Sequence, residues 1–114
     1  MALNPEPYAV TQPARADIDA LSGAAVVEFG TSWCGICRAA QPAIAAAFAG
    51  YPEVHHLKVE DGPGKPLGRS FRVKLWPTLV FLRDGREVTR LVRPGDPASI
   101  GRALAQIDTG GAAA

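Results

Sequence analysis

The chain has 114 residues, of which 47% are hydrophobic and 20% charged, and its formal net charge is +1. This length and composition predict one globular domain that can bury a single core. The small net charge argues against a broad electrostatic field for nucleic acid or an anionic membrane, and no apolar run approaches the roughly 18 residues of a membrane span.

The N-terminal part of the chain predicts a flexible start followed by a helix and a strand. Residues 1–7 contain two prolines and lack the basic and apolar regions of a secretory signal, so we expect a flexible N-terminus and a cytoplasmic protein. Residues 8–10 are compatible with a short edge strand. Residues 13–21 predict a helix capped by Thr11, and the apolar, β-branched run 24–29 predicts a buried strand.

The only two cysteines, Cys34 and Cys37, lie where this strand is followed by an alanine-rich helix predicted over 34–49. The unpaired N–H groups and the dipole at a helix N-terminus stabilise a thiolate, so Cys34 should ionise more readily than a free cysteine. Cys37 lies one turn later on the same face, at a spacing that permits a disulfide. The pair is therefore predicted to be redox-active.

Two alternatives for the cysteines are unreactive thiols and half of a zinc site. A structural zinc ion needs four ligands, and the chain has no second cysteine pair. His55 and His56 lie on a strand predicted over 54–59 and would point to opposite faces, so they cannot both complete such a site. We expect these histidines to lie at a strand end without a ligand.

The remaining elements predict a mixed sheet. The Gly- and Pro-rich loop 61–70 lacks the Gly-Lys-Ser/Thr sequence of a phosphate-binding loop, which argues against nucleotide binding. Residues 78–82 and 87–92 predict antiparallel strands joined by a turn at Asp84-Gly85, and residues 97–107 predict a terminal helix. The order of elements predicts an α/β fold whose central sheet of four to five strands has helices on both faces.

Several motifs together make the chain resemble the thioredoxin family. They are Trp33, Cys34-Gly35-Ile36-Cys37, Pro42 within the helix, Trp76-Pro77-Thr78 and the Asp84-Gly85 hairpin. The resemblance covers residues 8–108 and implies a thioredoxin-like domain, followed by a flexible tail at 109–114. Pro42 should bend the helix, either tilting the cysteine turn or forming a tolerated surface kink.

The resemblance also implies roles for individual residues. Cys34 should be the attacking thiol and Cys37 the buried resolving thiol. Pro77 should be cis and face the cysteines, and the backbone of Trp76 should hydrogen bond a client peptide. The residues expected to bind the client are Trp33, Gly35, Ile36, Trp76 and Pro77.

Glu28 takes the place where many thioredoxins have a buried aspartate beneath the cysteine pair. A carboxylate within an apolar strand is desolvated, so its pKa is predicted to rise toward neutrality. It would then accept a proton from Cys37 during resolution, directly or through a water. The alternative is a partly exposed glutamate at a strand end, without a role.

The chain departs from the family pattern at three positions. Ile36 replaces the proline common in thioredoxin itself, which should change the redox potential. Gly30 stands where the family often has tryptophan, which should leave that side of the site less covered. Trp76 is bulkier than the usual residue and either narrows the client groove, stacks on a client side chain or belongs to the core. Arg93 is expected near the site, where the family often has glycine.

Together these features predict a thiol–disulfide oxidoreductase that reduces protein disulfides and needs no cofactor or metal beyond its own Cys34–Cys37 disulfide. We expect a monomer whose partners are disulfide-containing clients and an external reductase or thiol, with no nucleic-acid or membrane partner. The alternatives are an oxidase- or isomerase-like enzyme, an adaptor that binds peptides through Trp33, Trp76 and Pro77 without redox turnover, and metal binding across a dimer.

Overall fold

The computed structural model describes residues 7–108, so the flexible ends expected at 1–7 and 109–114 lie outside the described residues, apart from Pro7. The elements are α1 (Arg15–Asp19), β1 (Ala24–Gly30), α2 (Gly35–Phe48), β2 (His55–Glu60), α3 (Pro66–Ser70), β3 (Thr78–Arg83), β4 (Arg86–Val92) and α4 (Pro97–Ile107). They form a four-stranded mixed sheet in the order β2-β1-β3-β4, which confirms the predicted fold class. None of the described helices has the length and apolar character needed to cross a membrane.

Strand β1 lies inside the sheet. It pairs in parallel with β2, where Val26 lies opposite His56, and antiparallel with β3, where Val26 lies opposite Phe81. Strands β3 and β4 form the predicted hairpin, whose turn residues Asp84 and Gly85 have φ values of 51° and 78°. Asp and Gly tolerate this left-handed backbone region, which explains why this dipeptide turns the chain here.

The segment before α1 extends the sheet at the outer edge of β2. The Ala9 N–H donates to the Lys58 carbonyl at 2.9 Å, and the Glu60 N–H donates to the Ala9 carbonyl at 2.9 Å. Ala9 therefore forms an isolated parallel bridge with Val59, at the place where the sequence suggested a short edge strand. This pairing fixes the neighbouring Tyr8 side chain against the end of the sheet that carries the site.

Both faces of the sheet are covered by hydrophobic side chains, because successive strand residues point in opposite directions. One face packs against α2 and α4 and includes Val26, Ile44, Phe48, Leu79, Phe81, Ile100 and Leu104. The other packs against α1 and α3 and includes Ile18, Val27, Phe29, Val59, Leu67, Val80 and Leu82. The strand β1 is thus buried on both sides, as its apolar sequence predicts.

The starts of α2 and α4 are capped by side chains of their N-cap residues, whereas those of α1 and α3 are not. Asp96 caps α4 by accepting the Ser99 N–H at 3.0 Å, and Pro97 occupies the first turn, as predicted. The Thr11 cap of the first helix was wrong: α1 begins after Ala14, whose N–H donates to the Asp17 carboxylate at 3.1 Å. An acidic residue in the first turn thus accepts the N–H of the N-cap residue, and no side chain caps the first-turn N–H groups.

Candidate active site

Cys34 is the N-cap residue of α2. Its Sγ accepts the backbone N–H of Cys37 at 3.2 Å, so the sulfur occupies the place of the usual capping oxygen. Burial is the largest influence on the pKa of Cys34 and raises it. Burial is outweighed by groups that stabilise the thiolate, namely the Cys37 thiol, two backbone N–H groups and the charge of Arg93. The pKa of Cys34 therefore lies below the ordinary cysteine value.

Cys37 has the opposite environment. Its side chain is fully buried, and both cysteines are free thiols. Burial, followed by its hydrogen bond to Cys34, raises the pKa of Cys37 to about 11. Cys34 is therefore the thiol of the pair that ionises more readily, and Cys37 keeps its proton to higher pH.

Glu28 lies fully buried beneath this pair, on the face of β1 that packs against α2. The Tyr8 hydroxyl and Gln41 Nε2 both donate to Glu28 Oε2, the latter at 2.9 Å. His56 Nε2 lies 2.8 Å from Glu28 Oε1. The carboxylate thus has partners from an edge segment, a helix and a neighbouring strand.

The prediction that the pKa of Glu28 rises toward neutrality was wrong. Burial is the largest influence and raises the pKa, as predicted. The hydrogen bond and charge of His56, followed by the hydrogen bonds of Tyr8 and Gln41, outweigh it, so the pKa lies below the ordinary glutamate value. Hydrogen bonds to a carboxylate favour its charged form even where it is dry. The alternative of a partly exposed glutamate is also excluded, because the side chain is buried.

Both histidines lie at the start of β2, as predicted. His55 is exposed and His56 is buried, so they do point to opposite faces. His56 is an interior residue, however: its ring stacks on Phe48 at 4.4 Å between centroids, and it contacts Glu28. The buried Lys58 side chain joins the same network, donating to Gln41 Oε1 at 3.1 Å.

Tyr8 covers the side of Cys37 that the sequence analysis expected to be open. The buried phenol lies beside Cys37 and donates to Glu28, and the Lys58 ammonium lies 4.9 Å from its ring centroid. A Cβ added at Gly30 would lie 2.8 Å from Cys37 Sγ and 2.9 Å from Tyr8 Oη. Glycine at position 30 therefore makes room for the phenol. In the sequence, the signal that could have located Tyr8 here was the short edge strand suggested at residues 8–10.

The aromatic residues form the outer surface of the site. The Trp76–Pro77 peptide bond is cis. Trp33 is 72% exposed and contacts the Trp76 ring edge-on, with 5.7 Å between centroids. Trp76 is half-buried, and its indole N–H donates to Asp61 Oδ2 at 2.9 Å. Trp76 is thus a wall of the site and not a core residue, and Ile36 is exposed.

Arg93 lies at the site, as expected from its position in the sequence. Its backbone N–H donates to the Pro77 carbonyl at 2.8 Å, and its Nε–H donates to the Trp76 carbonyl at 2.8 Å. The Arg93 side chain therefore hydrogen bonds one of the backbone groups of Trp76, the residue whose backbone the resemblance implies should contact a client peptide. Arg93 has a φ of 52°, a left-handed conformation in which glycine is the least strained residue.

Within residues 7–108, no three His, Cys, Asp or Glu side chains are grouped so that they could hold a metal ion.

The fold and the cysteine pair together define a thioredoxin-like protein. The chain belongs to the thioredoxin family, whose family model matches residues 10–106. Thioredoxin H-type 1 of Nicotiana tabacum is 42% identical over 67 residues, which cover 59% of this chain and 53% of that protein. Thioredoxin of Chlamydia trachomatis is 34% identical over 79 residues, which cover 69% of this chain and 78% of that protein.

A solved structure agrees over nearly the whole chain. Reduced thioredoxin 2 from Pseudomonas aeruginosa PAO1 has a TM-score of 0.82 and 59% identity, covering 91% of this chain and 96% of that chain. The matches to several curated relatives are shorter, spanning about half the length of those proteins.

Proposed function

We propose that this protein is a thiol–disulfide oxidoreductase that reduces disulfides of client proteins in the cytoplasm. The observation that carries the proposal is the difference in pKa between the two thiols. The accessible Cys34 is held below the ordinary cysteine pKa, whereas the buried Cys37 is held at about 11. This division suits a nucleophile and a resolving thiol, because the thiolate is the attacking species.

The reaction transfers two electrons in two exchanges. The Cys34 thiolate attacks one sulfur of the client disulfide, forms a mixed disulfide and releases the other client sulfur as a thiolate. Cys37 then loses its proton and attacks Cys34 Sγ, which releases the second client sulfur and leaves a Cys34–Cys37 disulfide. An external reductase or thiol restores the dithiol, so the protein carries electrons to its clients with no cofactor of its own.

The surrounding residues assist the second exchange. When Cys34 is tied into a mixed disulfide, its negative charge is gone, and one cause of the raised pKa of Cys37 disappears with it. Tyr8 contacts both Cys37 and Glu28, so the Cys37 proton can pass to Tyr8 Oη while the phenol proton moves to Glu28 Oε2. Glu28 would hold that proton only transiently, because its hydrogen bonds with the buried histidine and Gln41 favour the charged carboxylate.

The client would approach over Trp33, Gly35, Ile36, Trp76 and Pro77. Trp33 and Ile36 are exposed, and the cis-proline follows the wall residue Trp76. A client backbone that hydrogen bonds Trp76 must share the carbonyl with Arg93 or displace its guanidinium. The protein is proposed to act as a monomer, with no nucleic-acid or membrane partner.

The test is disulfide reduction by wild type and by two single-cysteine variants. Cys34→Ser should abolish reduction, and Cys37→Ser should accumulate a mixed disulfide between Cys34 and the client, detectable by intact mass. Full reduction by Cys34→Ser would refute the role of Cys34 as the nucleophile, whereas wild-type protein that reduces no disulfide would refute the proposal and favour an adaptor. A potential near the roughly −270 mV of thioredoxin, measured against glutathione, supports a reductase; one near −120 to −180 mV would indicate oxidase or isomerase chemistry.

A further inference from the structure

A groove beside the active site carries a cluster of cationic side chains. It encloses about 530 Å³ between the loop that follows β2 and the segment that leads into β3. Four cations line it, those of Lys65, Arg69, Arg72 and Lys74, together with a single carboxylate, that of Asp61. The groove therefore concentrates positive charge in a chain whose formal net charge is only +1.

Three of these cations have no ion-pair partner in the part of the chain that the structure describes. Arg69, Arg72 and Lys74 are exposed, and none of them belongs to an ion pair formed among residues 7–108. Lys65 differs, because its Nζ donates to the Val10 carbonyl at 2.8 Å and lies 3.6 Å from the Glu60 carboxylate.

The backbone of Arg72 adds an independent observation. Arg72 has a φ of 58°, a conformation that disfavours any residue with a side chain. A cationic side chain is kept at a position where glycine would be less strained, and such positions cluster at functional sites. The carboxylate of Asp61, which accepts the indole N–H of Trp76, offsets only one of the four positive charges that line the groove.

The groove is continuous with the surface that surrounds Cys34. A smaller neighbouring cavity of about 190 Å³ shares Asp61 and Lys65 with the groove and reaches Trp33 and Trp76. Trp33 directly precedes Cys34 in the chain. A polypeptide that lies in the groove can therefore continue past the two tryptophans to the attacking thiolate.

We propose that this groove binds an acidic segment of the client protein, adjacent to the disulfide that Cys34 attacks. The inference rests on the proposed function and names the class of client it prefers. Carboxylates complement the three unpaired cations, and opposite charges across an interface increase the rate of productive encounter. A polypeptide is favoured over a nucleic acid because the groove leads to a thiolate that reacts with disulfides.

The experiment compares two synthetic peptides, each closed by one intramolecular disulfide. Four glutamates flank the disulfide in one peptide and four glutamines in the other. The rate of attack by the reduced protein is followed by stopped-flow tryptophan fluorescence. At about 20 mM salt the glutamate peptide should react about tenfold faster, and at about 500 mM salt, where screening is strong, the two rates should nearly converge.

Matched double variants locate the effect. Arg69→Gln/Lys74→Gln should slow the glutamate peptide about fivefold at low salt and leave the glutamine peptide unchanged. The control, Arg86→Gln/Arg102→Gln, removes the same charge from exposed positions: Arg86 lies at the turn end of the β3–β4 hairpin, and Arg102 lies on α4. The control should leave the rates of both peptides unchanged.

Each further outcome has a defined meaning. Equal rates for the two peptides at low salt overturn the groove proposal and leave the reductase proposal standing. If neither peptide is reduced, the proposed function fails, and the groove is judged by binding of fluorescein-labelled peptides in which serine replaces both cysteines. The groove proposal then fails if the glutamate peptide binds no more tightly than the glutamine peptide. A DNA oligonucleotide that binds more tightly than the glutamate peptide, and loses binding in the groove variant, overturns it as well.

Discussion

Replacing Tyr8 with phenylalanine tests the buried network beneath the cysteines. The substitution removes only the hydroxyl, so the ring that contacts Lys58 remains. The lost hydrogen bond joins the phenol to a buried carboxylate, and a bond of this kind contributes about 1.5–3 kcal/mol. We expect Tyr8→Phe to lower the free energy of unfolding by about 2 kcal/mol, or Tm by roughly 10 °C.

The same substitution should slow resolution of the mixed disulfide. The Tyr8 hydrogen bond lowers the pKa of Cys37, so its loss raises that pKa further. At neutral pH less Cys37 is ionised, and we expect resolution to be about tenfold slower, because the loss of about 1.4 kcal/mol corresponds to a factor of ten. The pH profile of the resolution rate should move to higher pH, a change that a purely structural role would not produce.

The assay loads Cys34 with 5-thio-2-nitrobenzoate and follows release of the coloured thiolate by Cys37 over a pH series. Thermal unfolding of the reduced protein is measured in parallel. Tyr51→Phe is the matched control, since the hydroxyl of this half-buried tyrosine makes no hydrogen bond among residues 7–108. A Tyr8→Phe protein with wild-type stability and an unchanged pH profile would refute the reasoning.

Three further predictions follow from the same geometry. The rate at which iodoacetamide alkylates Cys34 should rise with pH through a midpoint below that of free cysteine. Cys37→Ala should move this pH midpoint upward, because it removes the thiol that stabilises the Cys34 thiolate. A midpoint that does not move would contradict the prediction. The pKa of Glu28 is depressed in the folded protein, so its contribution to stability is present above the unfolded pKa and is lost as pH falls through the folded value. Urea unfolding should therefore show stability falling below about pH 4.5 in wild type and a flatter profile in Glu28→Gln; parallel profiles would count against the assignment. Gly30→Ala places a Cβ 2.8 Å from Cys37 Sγ and should lower the free energy of unfolding in urea by about 1–3 kcal/mol. The control Gly101→Ala, where no atom lies within 4 Å of the added Cβ, should not lower it. Equal effects of the two substitutions would contradict the steric argument.

Local sequence patterns determined the framework of this protein. The apolar run of β1, the cysteines at the start of α2, the Asp84-Gly85 hairpin and the Asp96 cap of α4 were all predicted, because each depends on residues that are close together in the chain. The spacing of Cys34 and Cys37 within one helical turn likewise determined that the two sulfurs lie together.

Tertiary structure alone decided the electrostatics around that framework. The sequence indicated that Glu28 is buried, but not that its pKa falls, because its partners Tyr8 and His56 are 20 and 28 residues away. The interior position of His56 and the close approach of Tyr8 to Cys37 depend on strand pairing and packing, as does the basic groove beside Trp76. A pKa is the sum of desolvation, hydrogen bonds and charges in space, and these are set by the folded chain and not by neighbours in sequence.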